Sequence, residues 1–234
     1  VGPTNDILRT VDADDYLEID ATGRALLPGF VDSHTHFLFG GYREKVFSER
    51  LKKNHSLSPV EYSEDVLGTV SATRSCDFEQ LWEAGYERLD EMFNMGVTTE
   101  EGKSGYGLDF DTELKQLRVM ADLNDEHPMD VVSTYFGGHV TPSEYTHQTD
   151  DYITYMIEKV LPELRLERSV TFCDVYCDQG LFSLRQTERL LRAARSLRFK
   201  LKMHTDSIAS FDGAELAAKL KTVSADHLLY VSDV

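Results

Sequence analysis

Three cysteines in 234 residues, Cys76, Cys173 and Cys177, are too few and too scattered for a disulfide framework and read as reduced thiols. No stretch approaches the ~20 consecutive apolar residues that a membrane helix needs, and the opening VGPTNDILRT lacks the basic and apolar regions of a secretion signal. Basic side chains are scarce, with 24 Lys and Arg against 41 Asp and Glu and a formal net charge of −17. A phosphate polyanion needs a basic footprint to exchange for its counterions, so nucleic acid is a poor partner. Low-complexity tracts and Pro/Gly/Ser-rich linkers are also missing, which leaves no flexible boundary inside the chain. The expectation is therefore a soluble, cytoplasmic chain with no membrane contact, long enough to bury one sizeable core.

What the sequence does contain is an alternation. Short β-branched and aromatic runs occur near Ala25 to Val31, Gly96 to Thr99, Asp130 to Phe136, Thr171 to Tyr176, Phe199 to Met203 and Val223 to Leu228. Helical patterns fill most of the gaps. The helix beginning near Asp77 places Phe78, Leu81, Trp82, Leu89, Met92 and Phe93 on one broad face and stops at Gly96. Ser183 and Gln186 form a capping box for a helix whose apolar stripe is Leu190, Leu191, Ala194 and Leu197. Such alternation implies parallel strands joined by crossover helices. At roughly 35 residues per strand-and-helix unit, the chain from Leu27 onward holds about six, against the eight of a closed (β/α)8 barrel. The expectation is an α/β fold with an incomplete TIM-like barrel over 27–234, preceded over 1–26 by the remnant of a small β-rich segment. A complete doubly wound sheet fits the same length, so the barrel reading rests on the motifs.

The first strand ends in LLPGFVDSHTHF. His34 and His36 are two apart, so on an extended strand both imidazoles point to one side and can converge on one ion. Two hydrogen-bonded histidines with no metal are the alternative. His204 ends FKLKMHTDS, His227 follows VSAD, and His139 lies in GGHVTP. All three follow strand-like runs, at the carboxyl rim where barrel enzymes place reacting groups. Five of the eight histidines thus share one rim, whereas His55, His127 and His147 lie in polar stretches and are expected to be solvated. Cys173 and Cys177 would share a side of one strand, but no second cysteine pair completes a metal site, so buried apolar thiols are expected.

PGFVDSHTH resembles the metal-binding opening of the amidohydrolase superfamily. FGGYREKVF, SATRSCDFEQLWE, GVTTEEGKSGYGLDFDTELKQLRV, GGHVTPSEY, FKLKMHTD, DGAELAAKL and VSADHL together resemble the imidazolonepropionases within it. The resemblance runs from about Leu27 to Asp233. It implies that His34, His36 and His204 bind zinc or iron, ions that neutral imidazoles suit. The family's fourth ligand, an aspartate on a later strand, falls in a segment that this chain does not contain. The implied reaction is the hydrolysis of 4-imidazolone-5-propionate, a small anion, to N-formimidoyl-glutamate. His227 would orient the attacking water or stabilise the developing oxyanion. Arg43 would fork onto the substrate carboxylate, and Tyr106 and His139 would contact the substrate. Lys103 ends the second strand; some amidohydrolases carboxylate such a lysine, this family does not, and an ion pair with Glu101 is its ordinary reading.

Three stretches depart from the family. Where its members read HADE, this chain reads HTDS, so Ser207 stands in place of a catalytic glutamate. The glycine-rich segment before LGTVSATR is here Ser63, Glu64 and Asp65, and Ser56 aligns near an expected tyrosine. A serine cannot act as a carboxylate base, so a non-catalytic relative that retains the scaffold is the alternative function. The open edges of an incomplete barrel also suggest homo-oligomers.

Overall fold

A computed structural model describes residues 2–10, 19–42, 44, 47–48, 51 and 58–232. Six strands follow one another: β1 (Phe30–Thr35), β2 (Val97–Lys103), β3 (Asp130–Gly138), β4 (Val170–Cys177), β5 (Lys200–Thr205) and β6 (Ser224–His227). Every neighbouring pair is parallel, and the order in the sheet is β1-β2-β3-β4-β5-β6. A doubly wound sheet reverses its order at a switch point; this one does not, so the alternative left open by length is set aside. The sheet curls until its edges meet through side chains. Lys202 of β5 donates to the Ser33 carbonyl of β1 at 3.0 Å, and His34 Nδ1 lies 3.0 Å from Asp226 Oδ2 of β6. The fold is an incomplete TIM-like barrel, as expected.

The first strand starts at Phe30 rather than Ala25. Pro28 has no N–H to give to a ladder, and the Phe30 N–H to Gly96 carbonyl bond of 2.9 Å lies at the start of the pairing. Among the described residues of 1–26 there is a helical turn, Thr4–Ile7, and no strand, while residues 11–18 lie outside the described part.

Between β1 and β2 lie α1 (Pro59–Ser75) and α2 (Phe78–Asn94). Both open with capping boxes, Ser58 with Glu61 and Asp77 with Gln80, and such caps stabilise a helix by about 1 kcal/mol each. After α2 the chain turns through Gly96 at φ +92°, a left-handed conformation that glycine adopts without steric cost. Phe78 and Phe93 sit at the margin of its apolar face, while Leu81 and Leu89 are fully buried. Helix α3 (Phe110–Glu126) joins β2 to β3, packs against α2, and buries Leu117, Met120 and Leu123. A Cβ on Gly85 would stand 2.7 Å from Leu123 and 2.9 Å from Leu38, so that glycine sets how closely α2 approaches. The β3–β4 connection holds α4 (Thr149–Tyr155), a π-helical turn (Met156–Val160) and α5 (Leu161–Leu164). Helix α6 (Leu184–Ser196) carries the expected Ser183–Gln186 box, and α7 (Gly213–Leu220) leads into β6. No helix among the described residues is long and apolar enough to cross a membrane.

The strands sort their side chains by alternation. Leu201, Met203, Cys173, Val175 and Cys177 are buried with the helix core, the two cysteines as the apolar thiols expected of them. Their alternates, Lys202, His204, Asp174 and Tyr176, turn to the other face, where Glu101 and Lys103 of β2 join them. His127 is buried rather than solvated. Its Nδ1 accepts from the Met129 N–H at 3.1 Å and its Nε2 meets Asp90 at 3.2 Å, so it seals the exit from α3. His147 is exposed as expected, and His55 lies outside the described residues. Leu26, Leu27, Phe30 and Val31 beside β1 are exposed, as are Val223, Leu229 and Val231 around β6.

Candidate metal centre

β1 delivers His34 and, one residue past its end, His36; β5 delivers His204. Ring centroids lie 5.4 Å apart for His34 and His36, 4.6 Å for His34 and His204, and 5.7 Å for His36 and His204. One nitrogen from each falls within 4.8 Å of the other two, a spacing that a single ion can bridge. Two carboxylates orient the rings. Asp174 accepts from His204 Nδ1 at 3.1 Å, which leaves Nε2 buried without a protein partner. Asp226 holds His34 Nδ1. His36 Nδ1 is likewise buried and unpartnered. A buried polar atom without a partner costs roughly 1–3 kcal/mol, so two of them on rings that gather beside His34 fit a bound cation. Phe136 stacks on His204 at 4.3 Å and walls the centre.

The charge around the centre favours neutral imidazoles. Burial lowers His36 well below the ordinary histidine value, and the neighbouring His139, His204 and His34 add to the effect. Burial lowers His204 too, outweighing the opposite pull of Asp174. Burial alone would lower Lys103, but the Asp174 and Glu101 carboxylates at 2.8 and 2.7 Å push it up to about 12. Burial alone would raise Asp226, yet the hydrogen bond from His34 and the charge of Lys103 hold it at about 2.

These shifts give stability a pH dependence with a definite sign. A histidine held below 6.5 in the folded chain binds its proton more readily when unfolded, so its contribution is complete above 6.5 and is lost as pH falls. The Lys103 contribution is complete below 10.5 and is lost as pH rises through about 12. That of Asp226 is complete above 3.8 and is lost on the way down to about 2. These three contributions are expected to be complete together from about pH 7 to 10, while Glu100, raised by burial to about 8, adds an opposing loss of stability as pH rises from 4.5 toward 8. Below 6.5 the metal-free chain should lose up to about 1.4 kcal/mol per pH unit for each of His36 and His204. Denaturant unfolding of the metal-free parent and His36→Ala chains across pH 5 to 8 checks this, and an identical pH dependence in the two would count against a neutral His36.

The centre opens into a cavity of about 400 Å³. Tyr106 and His139 line it, as the resemblance implies. His139 has both nitrogens engaged, Nδ1 donating to the Gly105 carbonyl at 2.9 Å and Nε2 accepting from the Tyr62 hydroxyl at 2.7 Å. It is a wall of the cavity rather than a ligand. Gly105, at φ +97°, belongs to a loop gathered by the buried Glu113, whose carboxylate accepts from the N–H groups of Gly105, Gly107 and Leu108. His227 stands at the mouth, its ring 5.1 Å from that of His204 and 5.3 Å from that of His34. Partial burial and those two imidazoles lower it to about 4. His227 and Leu228 both take positive φ, 79° and 54°, a costly pair for residues with a Cβ. Arg43 lies outside the described residues.

Ser207 also faces the cavity, accepting from the Tyr176 hydroxyl at 3.0 Å. Asp178 pins the backbone around it by accepting from the N–H groups of Ser207 and Ile208. The adjacent Asp206 uses both carboxylate oxygens on the N–H groups of Phe211 and Ala214 at the start of α7. It is committed to that helix and does not replace the missing glutamate. Tyr62, Tyr176, Asp174 and Asp226 escape the sequence reading. A charged residue inside the apolar run FCDVYC is the one signal that could have marked Asp174.

No protein-family model matches the chain. It is 64% identical over 233 residues to the imidazolonepropionase of Parabacteroides distasonis, covering 100% of this chain and 56% of that protein. The Bacteroides thetaiotaomicron imidazolonepropionase is 52% identical over 220 residues, covering 93% and 53%. Among solved structures, a zinc-bound amidohydrolase from Burkholderia ambifaria matches with a TM-score of 0.58 at 15% identity, covering 91% of this chain and 63% of that one. An adenine deaminase from Arthrobacter aurescens matches at 0.56 and 13%, covering 86% and 65%. At such identities the structural likeness concerns the fold. The relatives carry the finer relation: over its whole length this chain is similar to curated imidazolonepropionases, and it spans about half the length of those it matches.

Proposed function

We propose that the site serves metal-dependent hydrolysis of a cyclic amide, 4-imidazolone-5-propionate, to N-formimidoyl-glutamate. The observation that carries this reading is the pair of buried, unpartnered nitrogens, His36 Nδ1 and His204 Nε2, beside His34. His34, His36 and His204 would hold one zinc or iron ion, which supplies the Lewis acidity that makes water nucleophilic near neutral pH. The reaction adds water across a ring C–N bond: a C–O bond forms at the carbonyl carbon, the C–N bond breaks, and the leaving nitrogen takes a proton. His227, at the mouth, accepts the proton of the incoming water at a ring nitrogen and returns it. Tyr106 and His139 bound the ring of the substrate, with His139 fixed as the Nδ1–H tautomer by the Gly105 carbonyl and Tyr62. Arg43 would meet the propionate. The substrate is an anion approaching a chain of formal charge −17, so local cations must act inside the ~8 Å over which salt screens that field.

Ser207 favours a second reading, a family member that binds the anion without converting it. General acid or base catalysis by a carboxylate is commonly worth ~10²- to 10⁴-fold. A Ser207→Glu variant is therefore expected to raise turnover of imidazolone-propionate by about 10²-fold at equal metal content. Steady-state assays of both chains decide. Unchanged turnover, with calorimetry still reporting ligand binding, selects the second reading.

A further inference from the structure

The face of the sheet that carries the histidines is crowded with fixed charge. Glu101, Asp174 and Asp226 meet there with Lys103 and Lys202, three carboxylates against two ammonium groups. Lys202 is committed to Glu101 at 2.5 Å and to the Ser33 carbonyl at 3.0 Å. Lys103 is fully buried, and its Nζ stands 2.8 Å from Asp174 Oδ2, 2.7 Å from Glu101 Oε1 and 3.6 Å from Asp226 Oδ2.

Asp174, His204 and Asp226 form a second set whose ligand atoms lie within 4.8 Å of one another. It shares His204 with the three-imidazole set, and the ammonium of Lys103 is bonded to one of its carboxylates and close to the other. Glu101 would keep Lys202 and the Thr134 hydroxyl if Lys103 were lost. Asp174 and Asp226 would lose their cation, and the group as a whole would carry two negative charges in excess. A divalent ion supplies that charge, and carboxylate oxygens are the ligands that a hard ion such as manganese prefers.

We propose that Lys103 is a built-in cation occupying a second metal position, so that its removal opens a divalent-ion site at Asp174, Asp226 and His204, whose Nδ1 proton is released to solvent so that the ring bridges the two ions. The chain then holds one ion at its imidazoles because a side chain already fills the neighbouring place. Lys103 is a positioning residue here: through the same two carboxylates it steadies the rings of His204 and His34. The inference rests on the proposed centre only in sharing His204 with it.

The two donor sets allow a test with two ions. Zinc is added first to the parent chain, to Lys103→Met and to Lys103→Gln, followed by manganese. Each bound metal is counted by elemental analysis, and manganese is also followed by its paramagnetic resonance. The parent chain is expected to take up no stoichiometric manganese and each variant one equivalent, which a further Asp226→Asn change removes. A variant that folds only when manganese is present also supports the proposal. It is overturned if the variants take up no more manganese than the parent, if the parent itself binds an equivalent, or if both variants stay unfolded at saturating manganese. The manganese increment is read separately from zinc. A parent chain that binds no zinc therefore defeats the three-imidazole centre and leaves the Lys103 result to be decided on its own.

Discussion

A His204→Ala variant is expected to bind zinc more than about 100-fold more weakly than the parent chain, with hydrolysis falling below detection. Loss of a residue that merely orients a ligand typically costs 10–100-fold in affinity, and here the ligand itself goes, from a set that offers three imidazoles. The change also removes one partner of Asp174, which is fully buried, accepts from His204 Nδ1 at 3.1 Å and keeps Lys103 at 2.8 Å. A fall in stability is therefore expected alongside the loss of metal. His36→Ala separates the two effects, because His36 Nδ1 has no protein partner to strand. That variant should lose zinc affinity and keep most of its stability. Isothermal titration and denaturant unfolding on the same samples make the comparison, and zinc affinity unchanged in both variants would remove the metal centre from the account.

Glu113→Ala is expected to cost about 4 kcal/mol of stability, a large share of the 5–15 kcal/mol of a typical domain. Its carboxylate accepts from three buried N–H groups, those of Gly105 at 3.1 Å, Gly107 at 2.9 Å and Leu108 at 2.8 Å. An alanine leaves all three without an acceptor. Glu113→Gln keeps the acceptor oxygen that all three N–H groups reach and should lose much less. The consequence reaches the cavity, because the Gly105 carbonyl accepts from His139 Nδ1 and Tyr106 is the next residue. The affinity for imidazolone-propionate should fall while zinc affinity changes little. Hydrogen exchange at the three amides gives a local readout, and a stability loss below about 1 kcal/mol would show that the loop holds its shape without this carboxylate.

Much of this was legible because strand-and-helix alternation is a strong pattern. The six runs correspond to six strands, and the Ser183–Gln186 and Asp77 helix starts sit where capping chemistry puts them. The start of β1 is not legible locally, because Ala25 to Val31 is apolar enough for a strand, whereas Pro28 has no N–H to contribute to one. The histidines could be grouped on one rim from their places after strand-like runs. The carboxylates that orient them could not. Asp174 and Asp226 act through contacts between β4, β5, β6 and β1, and the curl of the sheet, not local sequence, creates those contacts. The burial of His127 is hidden for a similar reason: its neighbours in sequence are polar, but the helix α2 residue Asp90 reaches across to hold it. Tyr62 stands beside Ser63, Glu64 and Asp65, which depart from the family pattern, and its 2.7 Å contact with His139 and its ring against Tyr176 bring it into the cavity wall.

The central claim is that three imidazoles from β1 and β5 grip a single ion. X-ray absorption spectroscopy of the chain loaded with one equivalent of zinc tests it most directly. The account predicts a first shell at about 2.0–2.1 Å with the outer-shell scattering of three histidine rings. A shell built only from oxygen or sulfur, or one with a single histidine ring, would contradict it.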